Sequence, residues 1–252
     1  MRFHKIISLL LLTALAFSCA NDTMVELQDA TGQAGSMTRF AINGQYLYLV
    51  GNSTIKVFNI GAGQFVKAGE VNTPSGMETV FARGEYLFLG ANDGMHIYSI
   101  AEPANPSFIF RYEHVIACDP VVVQGDRAYV TVRSGSQCVW GNRSINSLDI
   151  IDISNPYSPL LIKSYAMISP HGLGIDGTLL FLCEGKSGLK TYDVSDELDI
   201  KLVEHRTDFF AYDVIPRQGV ATVTGEDGIF QFSYGETQSR LTFLSKIAVE
   251  AH

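Results

Sequence analysis

"SLDIIDISNPYSPLLIKSY", residues 147–165, consists of two short apolar alternations separated by Asn155-Pro156 and a second proline, Pro159. Alternation over five or six residues is the pattern of a strand, and Asn-Pro is a turn signal. Alone, the stretch is one β-hairpin. It has relatives along the chain, however: "IKVFNI", "MHIYSI", "LDIIDI", "LKTYDV" and "IFQFSY" begin at Ile55, Met95, Leu148, Leu189 and Ile229. Upstream of each lies a glycine between an apolar segment and a strand-like run: "INGQYLYLV", "ARGEYLFLG", "VQGDRAYVT", "IDGTLLFLC" and "PRQGVATVT". These turn glycines are Gly44, Gly84, Gly125, Gly177 and Gly219, separated by 40, 41, 52 and 42 residues. A third strand follows in each unit: "FVKAGEV", "SFIFRYEHV", "LLIKSY", "IKLVEH" and "LTFLSKIAV".

Two independent anchors keeping one register identify a repeat. Each unit supplies a strand before the Gly turn, one after it, the LDIIDI-type strand and a closing strand. Units of about 40–45 residues with four strands are the signature of propeller blades. The expectation is an all-β protein, a single five-bladed β-propeller of four-stranded blades. The propeller would fill residues 36–252, with blades near 36–74, 75–116, 117–168, 169–208 and 209–250. A small twisted sheet cannot bury both faces by itself, whereas a ring of sheets packed face to face hides them and leaves only short edges.

"LDIIDISNPYSPLLIKSY", and more weakly "HIYSIAEPANPSFIFRY" and "LKTYDVSDELDIKLVEH", resemble the LVIVD repeat of bacterial surface and secreted proteins. The resemblance implies a β-propeller and carries no functional residues across. It fades in the last unit, where "FSYGETQSRL" lacks the Asp-Ile-Ser-Asn-Pro turn.

Arg2 and Lys5 precede an apolar run from Ile6 to Leu15, followed by Ala16-Phe17-Ser18-Cys19. The run is short for a membrane span, and its charged start and small-residue end read as a signal peptide over residues 1–18. Cys19 at the cleavage point resembles a bacterial lipobox and would receive the lipid. Ordinary secretion with cleavage nearby stands as the alternative, because Leu15 lies one place too far from the Cys and Phe17 is bulky. Residues 19–35 become the lipidated Cys and a flexible tether, although residues 24–28 resemble a closing strand and could instead latch the last blade. With the repeat, the start looks like that of a Bacteroidetes lipoprotein, anchored at the outer membrane or cell surface by lipid alone.

The chain carries a formal net charge of −8, and loss of residues 1–18 removes two basic groups and no acidic one. Nucleic acid is excluded as a partner on that balance, since phosphate binding needs clustered Lys and Arg. Phosphate loops, Gly-x-Ser-x-Gly, His-Glu-x-x-His and Cys-x-x-Cys are all missing, which counts against the enzyme classes that need them. His96, His114 and His205 fall in outer strands without metal-like spacing and read as surface residues.

The first strand of a blade lines the channel, and its starting residue stands at the channel mouth. Counting six back from each turn Gly gives Thr38, Glu78, Asp119, His171 and Asp213, all polar. Glu78, Asp119, His171 and Asp213 could ring a Ca²⁺ ion or a polyhydroxylated ligand. Solvated polarity is the plainer alternative. The extra length between Gly125 and Gly177 is an insertion, residues 133–147, at the same end. It holds Trp140, Arg133 and Arg143, which suit sugar stacking or an anionic partner. Trp140 could equally bury itself to pin the loop. Two readings follow: a non-catalytic envelope propeller binding a glycan or protein partner at this face, or a glycoside hydrolase using Glu78, Asp119 and Asp213. The first needs no cofactor. Cys118 and Cys138 fall at one end and could pair in an oxidising envelope, with reduced thiols as the alternative.

Overall fold

A computed structural model of the chain describes residues 35–113, 120–133, 146–235 and 240–249. Five four-stranded antiparallel sheets follow one another as the blades of a five-bladed β-propeller, and the described residues contain no helix. Blade one is β1 (Phe40–Asn43), β2 (Tyr46–Val50), β3 (Thr54–Asn59) and β4 (Val66–Asn72). Blade two is β5 (Met77–Arg83), β6 (Tyr86–Ala91), β7 (Gly94–Ser99) and β8 (Ser107–Tyr112). Blade three is β9 (Val121–Gln124), β10 (Arg127–Val132), β11 (Ser147–Asp152) and β12 (Leu160–Ala166). Blade four is β13 (Leu173–Asp176), β14 (Leu179–Cys183), β15 (Leu189–Asp193) and β16 (Lys201–Arg206). Blade five is β17 (Ala211–Arg217), β18 (Val220–Gly225), β19 (Gly228–Ser233) and β20 (Thr242–Ala248).

The middle strands show why alternation is blurred in this sequence. Neighbouring blades cover both faces, so β14 (LLFLC) is buried at every position, whereas the outer strand β20 is exposed at every position. Four apolar clusters join blades one to two, two to three, three to four and four to five, centred on residues such as Tyr48 and Leu89, Ile97 and Val130, Leu148 and Leu180, and Phe181 and Phe232. The third and fourth strands slip register by one residue in all five blades, at Phe58, Tyr98, Ile151, Tyr192 and Phe232. Such bulges add local twist, which the blade needs to pack against twisted neighbours.

The opening stretch folds as its chemistry dictates. Asp152 accepts a hydrogen bond from the Ser154 N–H at 2.8 Å, and Asn155 Oδ1 accepts from the Tyr157 N–H at 3.1 Å. Two side chains thus mimic turn carbonyls before the proline-set loop enters β12. The Ser154 bonds also hold the Asp152 carboxyl below its ordinary range.

The first hairpin of blades one to four places its turn Gly at the first central position, with φ of 57°, 54°, 56° and 60°. In blade five both central residues, Gln218 (φ 51°) and Gly219 (φ 75°), carry positive φ, as a type I′ turn requires. Gln218, and not Gly219, therefore corresponds to the other four glycines. Counted from Gln218, the channel-mouth position of blade five is Tyr212, and Asp213 stands one place further along.

Candidate functional site

His171, immediately before β13, is held by both ring nitrogens. Nδ1 lies 2.8 Å from the Ser169 carbonyl and Nε2 lies 2.5 Å from Arg133 Nη1. A carbonyl can only accept and a guanidinium can only donate, so the ring is neutral with its proton on Nδ1. Burial lowers the His171 pKa further than the Ser169 carbonyl and Glu184 raise it, and Arg133 adds to the lowering. Arg133 itself leaves the end of β10 half-buried, and burial lowers its pKa as well. Among the described residues it has no carboxylate partner; His171 is its one hydrogen-bond partner.

Two rings from the start of blade five complete the patch. Phe210 packs edge-on against His171 at 5.9 Å, and Tyr212 does so at 6.1 Å. Their own centroids are 4.5 Å apart. Tyr212 is 37% exposed, so the cluster meets solvent. Close approach is set by Gly185, where an added Cβ would lie 2.7 Å from His171 Cε1.

The carboxylates of this region are already engaged. Asp213 accepts hydrogen bonds from Ser36 Oγ (2.9 Å), the Met37 N–H (3.3 Å) and the Val214 N–H (3.0 Å). Its oxygens are wedged between Gly35 and Gly172, where an added Cβ would come within 2.2 and 2.1 Å of them. Ser36 in turn accepts from the Leu173 N–H at 2.8 Å, so the entry segment spans blades four and five. Glu184 is fully buried, with Oε1 accepting from the Ile168 N–H at 2.8 Å and Oε2 lying 2.5 Å from Lys190 Nζ. The Lys190 contact is ionic and lies off the hydrogen-bond axis of Oε2. Nothing in the sequence singles this pair out; its only trace is an acid and a base placed diagonally across the β14–β15 hairpin, Lys190 opposite Leu182 and Glu184 opposite Gly188.

The remaining expected residues fall as follows. Thr38 Oγ1 donates within its own turn, 2.9 Å from the Gly35 carbonyl, while its carbonyl accepts from the Val80 N–H. Glu78 is the extra residue of the bulge between Met77 and Thr79 and is half-buried. His171 is brought together with Arg133, and Asp213 with Ser36. Among the described residues no three His, Cys, Asp or Glu side chains converge as a metal site would require. Asp119, Cys118, Cys138, Trp140, Arg143, His114, Cys19 and residues 24–28 lie outside the described residues. His205 is exposed, but His96 is not the surface residue expected: it is 1% exposed, because blade one covers the face of β7 that carries it. Cys183 is buried, and burial together with Asp213 pushes its thiol pKa well up, which removes nucleophilic character.

Five four-stranded antiparallel blades define the class, a β-propeller. The chain carries the LVIVD repeat, whose family pattern matches residues 77–114 and 143–167. No curated protein matches the sequence. Among solved structures, a protein from Lactobacillus plantarum is similar at 14% identity and TM-score 0.63, covering 81% of this chain and 69% of that one. A putative 6-phosphogluconolactonase from Bacteroides fragilis is similar at 14% identity and TM-score 0.62, covering 84% and 70%. The computationally designed protein Ika8 is similar at 12% identity and TM-score 0.59, covering 80% of this chain and 59% of its own. The chain thus spans three fifths to seven tenths of these proteins. At such identities the likeness speaks for the fold alone.

Proposed function

We propose that this propeller is a non-catalytic, lipid-anchored envelope protein that binds an acidic glycan with its channel-mouth face. The observation that carries the reading is Arg133, a half-buried guanidinium with no carboxylate partner among the described residues, which meets His171, the same ring that Tyr212 packs against edge-on. A guanidinium in a partly dry site gains more from an incoming anion than a solvated one does. Aromatic faces stack on sugar rings while the polar edge stays wet. Asp213 and Glu184 are committed to Ser36 and Lys190, which favours binding over hydrolysis. Anchoring rests on Cys19 and the outer membrane or cell surface is the place proposed.

The test is titration of the purified protein with a uronic-acid oligosaccharide and its neutral counterpart, read by calorimetry. The acidic sugar binds and the neutral one binds at least about tenfold more weakly, the size of one charged hydrogen bond. Arg133→Gln removes that difference. Equal binding of both sugars, or unchanged binding by Arg133→Gln, overturns the reading. Separately, Cys19→Ala moves the protein from the membrane to the soluble fraction if the lipid alone holds it.

A further inference from the structure

A second cleft opens away from the channel, on the outer rim between blades one and two. It has a volume of about 660 Å³ and lies between the end of β4 and strands β7 and β8. Its walls are largely apolar, built by Val71, Pro74, Tyr98, Phe108 and Phe110. Phe108 stands as an aromatic wall, 5.6 Å from the Tyr98 ring and 6.1 Å from the His96 ring. That size and that lining are those of a small-molecule site.

His96 supplies the polar centre. The imidazole is 1% exposed and lines the cleft, with Nε2 2.7 Å from Asp93 Oδ1. Asp93 is also held by Arg111 Nη1 at 2.9 Å, so the carboxylate is fixed from two sides. Burial is the largest single influence and raises its pKa, but His96 and Arg111 together outweigh it and hold the carboxyl below its ordinary value. A carboxylate on Nε2 selects the tautomer protonated there and leaves a lone pair on Nδ1. Among the described residues no group reaches it: Nδ1 is buried without a hydrogen-bond partner. A buried acceptor left empty is costly, and a ligand donor would relieve that cost.

We propose that this cleft is a binding site for a small aromatic molecule bearing one O–H or N–H donor, its ring against Phe108 and its donor on His96 Nδ1. The site shares no residue with the channel mouth and stands whether or not a glycan binds there.

The probes are p-cresol, toluene and p-methylanisole, which share the methylated ring but carry a donor, nothing and an acceptor only. Binding to the intact mature protein is followed by chemical shifts of the aromatic side chains and by calorimetry. The wild type binds p-cresol about tenfold more tightly than either of the others, the effect of one hydrogen bond to an otherwise orphaned group. His96→Phe binds p-cresol and toluene alike, while Arg111 keeps Asp93 paired. Phe108→Ala, at a residue 55% exposed and therefore safe for folding, weakens all binding of p-cresol. The proposal fails if p-cresol does not perturb Tyr98, Phe108 and Phe110, or if the wild type binds the three probes equally. It fails also if His96→Phe discriminates among them as the wild type does. The three-probe comparison needs only the wild type, so a misfolded His96→Phe would not shield the proposal.

Discussion

Burial raises the Asp213 carboxyl above its ordinary 3.8, even though hydrogen bonds from Ser36, Met37 and Val214 pull it down. A raised folded pKa means that the native state holds its proton longer than the unfolded chain does. Asp213 therefore contributes stability that is fully present below pH 3.8 and is lost as pH rises through the folded value. Asp213→Asn keeps an acceptor for Ser36 and removes the charge. It leaves stability at pH 7 within about 1 kcal/mol of wild type or improves it, and it abolishes the loss above pH 3.8. Denaturant unfolding across pH checks both, and a loss above about 2 kcal/mol at pH 7 would show that the charge itself is needed. His171 has the opposite sign. Its pKa is lowered, so its contribution is whole above pH 6.5 and drains away as pH falls through the folded value. Replacing His171 by Gln flattens that acid-side slope in a melting-temperature series. Neither group was fully legible in the sequence. The polar phase at His171 was visible from the glycine count, but its partners Arg133 and Phe210 lie 38 residues before and 39 after it. A count from Gly219 falls one step off at Asp213, because the backbone uses Gln218 as the first turn residue.

Turns carry the same lesson for elements. Gln218 takes φ of 51°, where an L side chain costs about 1–2 kcal/mol and Asn suffers least. Gln218→Asn raises stability by about 0.5–1 kcal/mol, measured by denaturant midpoint; no gain would mean that the Gln side chain has a stabilising contact of its own. Glycines of positive φ then separate into two kinds. At Gly44 an added Cβ meets nothing within 4 Å, so Gly44→Ala costs only the backbone strain, about 1–2 kcal/mol. At Gly188, φ 83°, the same Cβ would sit 1.9 Å from the Arg206 carbonyl oxygen, across the β15–β16 pair. Gly188→Ala should cost more than about 3 kcal/mol, because the fourth strand must move off the third. Equal losses in the two variants would contradict the close approach. The hairpins were easy to read because their glycines recur at the repeat spacing. The third strands are harder to read, since burial on both faces erases alternation, and a buried His96 on β7 looks in the sequence like a surface residue.

Across the whole molecule, the four seams between consecutive blades are apolar and the return from blade five to blade one is of a different kind. Among the described residues that return runs through Ser36, between Asp213 and the Leu173 N–H. Ser36→Ala strands a buried amide and loosens a carboxylate, so stability falls by about 1–3 kcal/mol. The Leu173 amide then exchanges with solvent faster, while amides of β6 and β7 in the far seam keep their protection. Unchanged exchange at Leu173 would show that Ser36 is no closure. A repeat pattern has no ends, so the sequence marks the join only weakly: it offers residues 24–28, which lie outside the described residues, as a latch on the last blade, and nothing in it points to Ser36. Within the described residues each sheet takes its four strands from one uninterrupted stretch of chain, and no strand is lent from one repeat to the next. In the history of a gene, that arrangement makes the blade a complete cassette. An unequal crossover that copies one unit inserts a finished sheet and leaves no other sheet a strand short, so the number of blades is free to drift while the chemistry at the mouth is carried along in the units that bear it.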